Sequence, residues 1–170
     1  MDFKFCPFCG QALSILFDKV KKRPFCESCG YKQYKNPTVG VAIILVQETE
    51  ILLVERLGTY QGMWCIPCGH LEWNEDVRQA AMREALEETG LRVTLTRQFH
   101  TYSDPGRDPR QHTASTVFIA TGSGTPRGAD DAVRANIFTK DNLPPLAFDH
   151  ARILADYFSM KEGGNSEEEF

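Results

Sequence analysis

The chain has 170 residues, 42% of them apolar and 25% charged, which suits one main domain plus a small appendage. No apolar run approaches the ~20 residues that cross a bilayer as a helix, which excludes a helical membrane span. A net charge of −4 argues against nucleic acid as a partner held by bulk electrostatics.

Two knuckles come first, Cys6-Pro-Phe-Cys9-Gly10 and Cys26-Glu-Ser-Cys29-Gly30, separated by 16 residues. Paired Cys-x-x-Cys motifs at this spacing fit a tetrahedral zinc site with Cys6, Cys9, Cys26 and Cys29 as ligands. The glycine after each second cysteine permits a tight turn that aims N–H groups at the sulfurs. A segment of roughly 35 residues buries too little apolar surface to fold alone, so zinc would supply much of its folding energy. Disulfides are the competing reading. The chain does not open on an export signal, so a cytoplasmic, reducing setting is expected, and there thiolates favour zinc. Residues 1–36 carry seven Lys/Arg against three Asp/Glu, with Lys19, Lys21, Lys22 and Arg23 clustered. Four zinc-bound thiolates would offset about half of that excess, and a solvated turn explains the cluster better than a nucleic-acid contact.

Residues 31–37 read as a linker into a strand. Residues 38–46 form a continuous apolar run and 51–55 a second, with polar residues 47–50 between them, which predicts a hairpin. A loop at 58–62 and a turn around Pro67 follow. Cys65 and Cys68 repeat the Cys-x-x-Cys spacing; small, semi-buried side chains are the first reading, a redox or second metal role the other.

Between Glu72 and Glu88 lie six carboxylates in 17 residues: Glu72, Glu75, Asp76, Glu84, Glu87 and Glu88. A helix over about 74–89 is predicted, capped by Asn74, with Glu75 and Asp76 at its positive end and Gly90 stopping it. Val77, Ala80, Ala81 and Leu86 form its expected buried stripe. Glu84 and Glu88 fall one turn apart on one face, with Glu87 beside them. Like charges there repel, and a divalent cation turns the repulsion into attraction. Oxygen-only ligands suit Mg²⁺ or Mn²⁺.

Gly69, five residues, Glu75, seven residues, Arg83-Glu84-Ala85, one residue, Glu87-Glu88, one residue and Gly90-Leu91 resemble the Nudix box at every fixed position. The resemblance implies a Nudix hydrolase, cleaving a nucleoside diphosphate linked to another moiety. It assigns Mg²⁺ or Mn²⁺ binding to Glu84, Glu87 and Glu88, helped by the Gly69 carbonyl, and a bracing role to Arg83 and Glu75. A further acid from outside the box is common in the family. Asp130 and Asp131 are the candidates, Asp131 being taken as the metal ligand. Cys68 stands where the family usually has a glycine.

Farther along, 91–102 and 113–120 read as strands, 132–138 as a third, and Pro144-Pro145 precedes an amphipathic helix over 148–160. Ile153, Leu154, Tyr157 and Phe158 share one side of it. The implied architecture is α/β: a Nudix-type α/β/α sandwich with a mixed sheet, preceded by a small four-cysteine zinc ribbon. The expected division is a ribbon over 1–36, a hydrolase domain over 37–160 and a disordered acidic tail over 161–170.

For the substrate, the loop from Tyr102 to His112, with Pro105, Arg107, Pro109 and Arg110, resembles ADP-ribose pyrophosphatases, as does the 143–150 stretch ending in Asp149-His150. Arg107 and Arg110 offer planar forks for phosphate or ribose oxygens; pairing with the loop's own aspartates is the alternative. Arg134 and Asn136 depart from the relatives, which often have an acid and a base there. Trp73, Tyr60, Phe99 and Tyr102 are the aromatic faces considered for a base. The implied reaction is ADP-ribose to AMP and ribose 5-phosphate. NADH or NAD diphosphatase is an alternative, although the Ser-Gln-Pro-Trp array of that group is missing. A non-catalytic ADP-ribose or nucleotide sensor with a ribbon-mediated interaction is the second. The family resemblance also suggests a homodimer.

Overall fold

The structure, a computed structural model, describes residues 3–128 and 132–163. Asp130, Asp131 and residues 164–170 of the expected tail lie outside the described residues. The chain divides into two compact units, Met1–Asn36 and Pro37–Phe170.

In the first unit, β1 (Ser14–Phe17) and β2 (Lys22–Phe25) form an antiparallel hairpin. Its turn places Lys19 at φ 66°, and Arg23 pairs with Asp18 at 2.7 Å. Each knuckle closes the same way. Gly10 N donates to Cys6 O and Gly30 N to Cys26 O, both at 2.9 Å, with the glycines at φ 73° and 78°. Cys6 and Cys26 are buried.

The second unit is built on a seven-stranded mixed sheet. Its central strand is β3 (Thr38–Gln47), with β4 (Glu50–Arg56) turning back as the expected hairpin. Short strands β5 (Trp64–Cys65) and β6 (Cys68–His70) occupy the stretch read as a turn around Pro67. Two- and three-residue strands carry no periodicity, so only tertiary pairing reveals them. β7 (Val93–Tyr102), β8 (Thr113–Gly122) and β9 (Ala132–Phe138) match the predicted strands within two residues at each end. β3 pairs in parallel with β8 from Thr38↔Thr113 to Val46↔Thr121 and antiparallel with β6 through Val41↔Gly69.

Helices α1 (Val77–Thr89) and α2 (His150–Glu162) pack on opposite faces. Val41, Ile43 and Leu45 meet Ala80 and Ala81 of α1, while Ala42 and Ile44 meet Ile153, Leu154 and Tyr157 of α2. A strand covered on both sides must be apolar on both sides, which explains the unbroken run in β3. Fully burying each of these Val, Leu or Ile side chains stabilises by about 1.5–3 kcal/mol. The layers are those of the expected α/β/α sandwich.

Two helix expectations are corrected. α1 starts at Val77, three residues late: Asn74 lies at φ 69°, and Asp76 is the cap, accepting from Arg78 N at 2.8 Å and Gln79 N at 3.1 Å. Gln79 closes a capping box, which favours the later start. Leu86 is also exposed, and the inward face is Ala80, Ala81, Ala85, Glu88 and Thr89. A carboxylate thus occupies a place in the buried stripe. α2 begins at His150 and runs to Glu162, two residues into the span expected to be tail.

Candidate active site

β6 and α1 bring the box together. Arg83 is its organiser. Its Nε and one terminal nitrogen donate to the two oxygens of Glu75 at 2.8 and 2.9 Å, a bidentate fork. The other terminal nitrogen donates to Glu84 at 2.9 Å and Glu87 at 2.8 Å, while the one facing Glu75 also donates to the His70 carbonyl at 3.0 Å. Glu75 also accepts from Glu72 N at 3.1 Å. The loop before the helix and the helix are therefore tied through one guanidinium. That fork holds the Glu75 carboxyl down at about 2, and the three carboxylates around Arg83 push its own pKa up.

The three metal candidates sit in different surroundings. Glu87 is the open one, its side chain 42% exposed, against 12% for Glu84 and 4% for Glu88. Burial raises Glu84 above the usual carboxylate range and lifts Glu88 to about 9. Glu88 accepts from Cys68 N at 2.9 Å and lies 3.6 Å from Arg56. Gly69 is fitted against Glu84: a Cβ built on it would fall inside the Glu84 carboxylate. The backbone of β6 and the acidic helix approach this closely only with glycine there.

These residues line one cleft of about 630 Å³ with Arg107, Arg110 and Phe148. Arg107 donates to Ser115 Oγ at 2.9 Å, and its Nε lies 3.1 Å from Asp149, a charge contact without an aligned hydrogen bond. Arg110 pairs with Asp108 at 2.7 Å and reaches Thr59 at 3.0 Å, yet its side chain stays half exposed. Both arginines thus face the cleft while paired with aspartates.

Other nominated residues lie elsewhere. Tyr102 and Pro105 line a second hollow with Arg152 and Asp156, and the Tyr102 hydroxyl donates to Asp156 at 2.8 Å. Trp73 is 92% exposed and lines neither hollow. Phe99 packs with α2, and Tyr60 meets Phe148 edge-on at 4.7 Å. Arg134 pairs with Glu55 at 2.6 Å. The cleft's aromatic face is Phe148, at φ 57°, with the Arg56 guanidinium 5.5 Å from its ring centre. Sequence reading missed Phe148 and Arg56. Arg56 ends β4 and Phe148 lies in the turn before α2, where no periodic pattern marks a side chain.

At the knuckles, Cys6 and Cys29 sulfurs lie 3.5 Å apart, Cys9 and Cys26 3.5 Å, and Cys9 and Cys29 3.7 Å. Tetrahedral ligands about 2.3 Å from zinc stand roughly 3.8 Å apart, so the cluster fits that ion.

A mixed sheet between two helices, with an arginine-braced acidic cleft at one helix, offers the oxygen donors that a hydrolase using divalent cations needs. Residues 35–157 match the NUDIX domain, and the chain belongs to that family: it is a Nudix hydrolase. It is 40% identical over 146 residues to an ADP-ribose pyrophosphatase of Methanocaldococcus jannaschii, covering 85% of each chain. A crystal structure of a NUDIX hydrolase from Nitrosomonas europaea superimposes with a TM-score of 0.82 at 28% identity, over 95% of this chain and 94% of that one. The NAD-capped RNA hydrolase NudC of Vibrio cholerae is 30% identical over 85% of this chain, which spans about half (52%) of that protein's length. Among the described residues no helix is long and apolar enough to cross a membrane.

Proposed function

We propose that this chain hydrolyses ADP-ribose to AMP and ribose 5-phosphate, with Mg²⁺ or Mn²⁺ at Glu84, Glu87, Glu88 and the Gly69 carbonyl. The observation that carries the reading is one cleft in which the box carboxylates face Arg107 and Arg110. The likeness to the M. jannaschii enzyme over most of both chains supports the substrate.

The residues divide the work. Glu84, Glu87, Glu88 and the Gly69 carbonyl would hold a dication, which when bound would supply charge neutralisation for the diphosphate and a lowered pKa for attacking water. Arg83 holds Glu84 and Glu87 at fixed spacing, so little reorganisation is left for the reaction. Glu87, the carboxylate open to solvent, takes the proton from water. Arg110 meets a phosphate or ribose oxygen with its exposed side, Asp108 fixing its plane; Arg107, held by Ser115, sets the depth of the cleft. Phe148 offers the adenine an aromatic face. Asp131 is kept as a further metal ligand, on its sequence position alone.

The test is a hydrolysis screen with ADP-ribose, NADH, dinucleoside polyphosphates and sugar nucleotides. Release of AMP and ribose 5-phosphate from ADP-ribose, with slower turnover of the rest, is expected. Faster release of AMP and reduced nicotinamide mononucleotide from NADH would replace the substrate with that of the second reading, to which the NudC likeness lends support. Glu87→Gln should lower kcat about 10²–10⁴-fold while ADP-ribose still binds; unchanged turnover would mean the measured hydrolysis is foreign to this cleft, as for a sensor.

The cluster of Cys6, Cys9, Cys26 and Cys29 is proposed to hold a structural zinc. Cys26→Ser should then speed amide hydrogen exchange across residues 1–36 and leave the sheet's protection unchanged, as measured by mass spectrometry. Cytoplasmic location and a homodimer complete the proposal, the latter to be read from sedimentation mass.

A further inference from the structure

Beside the carboxylate cleft, and sharing Cys68 with its lining, lies a group of two thiols and an imidazole to which the proposed hydrolysis assigns no role. Cys65, Cys68 and His150 bring two Sγ atoms and an imidazole nitrogen within 4.8 Å of one another. Cys65 and His150 are 0% exposed. Among the described residues neither ring nitrogen of His150 has a hydrogen-bond partner, although buried polar groups are nearly always paired.

Tertiary pairing assembles this group. Residues 145–147 run alongside Trp64, with Trp64 N donating to Pro145 O at 2.9 Å and Ala147 N to Trp64 O at 2.8 Å. That pairing delivers His150, the first residue of α2, to the Cys65–Cys68 turn. Ile43 N donates to Pro67 O at 2.8 Å and anchors the turn itself. Three elements distant in sequence therefore converge on one buried point.

We propose that Cys65, Cys68 and His150 form a second soft-metal site, taking Zn²⁺ or a similar thiophilic dication, distinct from both the knuckles and the carboxylate cleft. Two thiolates and a neutral imidazole are a donor set that zinc takes in sites with three protein ligands, water filling the fourth position. Binding gives the orphaned imidazole a partner and releases two thiol protons to solvent. The Zn²⁺ and two thiolate charges cancel, so Arg56 is left free to face Glu88. Cys68 N donates to Glu88, so a metal holding Cys68 Sγ also holds a donor to a cleft carboxylate. The site is structural support for the cleft, and it does not depend on which nucleotide is cleaved.

The experiment counts metal in the full chain purified from zinc-supplemented cells, by mass spectrometry of the ion. About two equivalents of zinc are expected for the wild type and about one for Cys68→Ala. Cys26→Ser, which damages only the knuckles, should retain about one. After replacement by Co²⁺, Cys68→Ala should lose roughly a third of the sulfur-to-cobalt absorption, two thiolates in six. An unchanged zinc count and cobalt spectrum in Cys68→Ala overturns the site, as does a metal-free Cys26→Ser chain. So does an intact mass showing a Cys65–Cys68 disulfide in the wild type. Should Cys68→Ala fail to fold by circular dichroism, the Cys26→Ser count decides alone.

Discussion

Replacing Glu88 by Gln is expected to lower hydrolysis about 10²–10³-fold and, in the same protein, to raise thermal stability when Mg²⁺ and Mn²⁺ are withheld. Glu88 is nearly enclosed, with Cys68 N donating to it and Arg56 at 3.6 Å, and burial lifts its carboxyl to about 9. Its reference value is 4.5. Between those two pH values the folded state holds a proton that the unfolded state has released. Stability therefore falls as pH rises from about 5 to about 9. Glutamine keeps the shape and an acceptor for Cys68 N but has no charge to bury. A gain of about 1–3 kcal/mol at pH 8, or roughly 3–10 °C in Tm, follows, shrinking towards zero near pH 4. Scanning calorimetry of zinc-loaded protein dialysed free of Mg²⁺ and Mn²⁺ checks it. A Tm unchanged or lowered at pH 8 would show that the wild-type carboxylate is not strained by burial.

Gly69→Ala should cost about as much activity through a single methyl group. A Cβ at this position falls inside the Glu84 carboxylate, and Glu84 in turn is held by Arg83. The Gly69 backbone has no easy retreat, because β6 is pinned to β3 through Val41↔Gly69 and Gly40↔His70, so the carboxylate is what must move. Gly40 is confined as well, though less tightly: a Cβ there would lie 3.0 Å from the Gly69 carbonyl. Displacing one proposed metal ligand by an ångström is expected to lower kcat/KM about 10²-fold or more, with Mg²⁺ affinity reduced in parallel. Stability should change little, since the strain falls on a side chain at the edge of the cleft. Steady-state kinetics across a Mg²⁺ titration reads both effects. Wild-type kinetics at every Mg²⁺ concentration would remove Glu84 from the site.

Part of this molecule is legible in residue spacing. The box residues Arg83, Glu84, Glu87 and Glu88 are local: they sit on one helix, where fixed backbone geometry translates spacing directly into proximity. The strands from β7 to β9 are visible for a similar reason, since alternation and β-branched runs survive in any context. The cap is misplaced from sequence because Asn74, Glu75 and Asp76 all suit a helix start, and only the capping box with Gln79 chooses among them. Hydrophobicity assigns Leu86 inward, yet the small alanines face the sheet, which lets α1 approach it closely.

The substrate side is harder. Tyr102 and Arg107 are five residues apart in one loop, and nothing local says that they face different hollows. Phe148 and Arg56 enter the cleft only because β4 ends there and the 143–149 segment is pulled alongside Trp64.

Sequence alone located the acidic helix, the two cysteine knuckles and the long strands, because each of these depends on spacing within a short stretch of chain. Tertiary structure alone decided which carboxylate is buried, which arginines share the cleft, and that Cys65, Cys68 and His150 meet. Those outcomes depend on contacts between residues 20 to 85 positions apart, whose proximity no local pattern encodes.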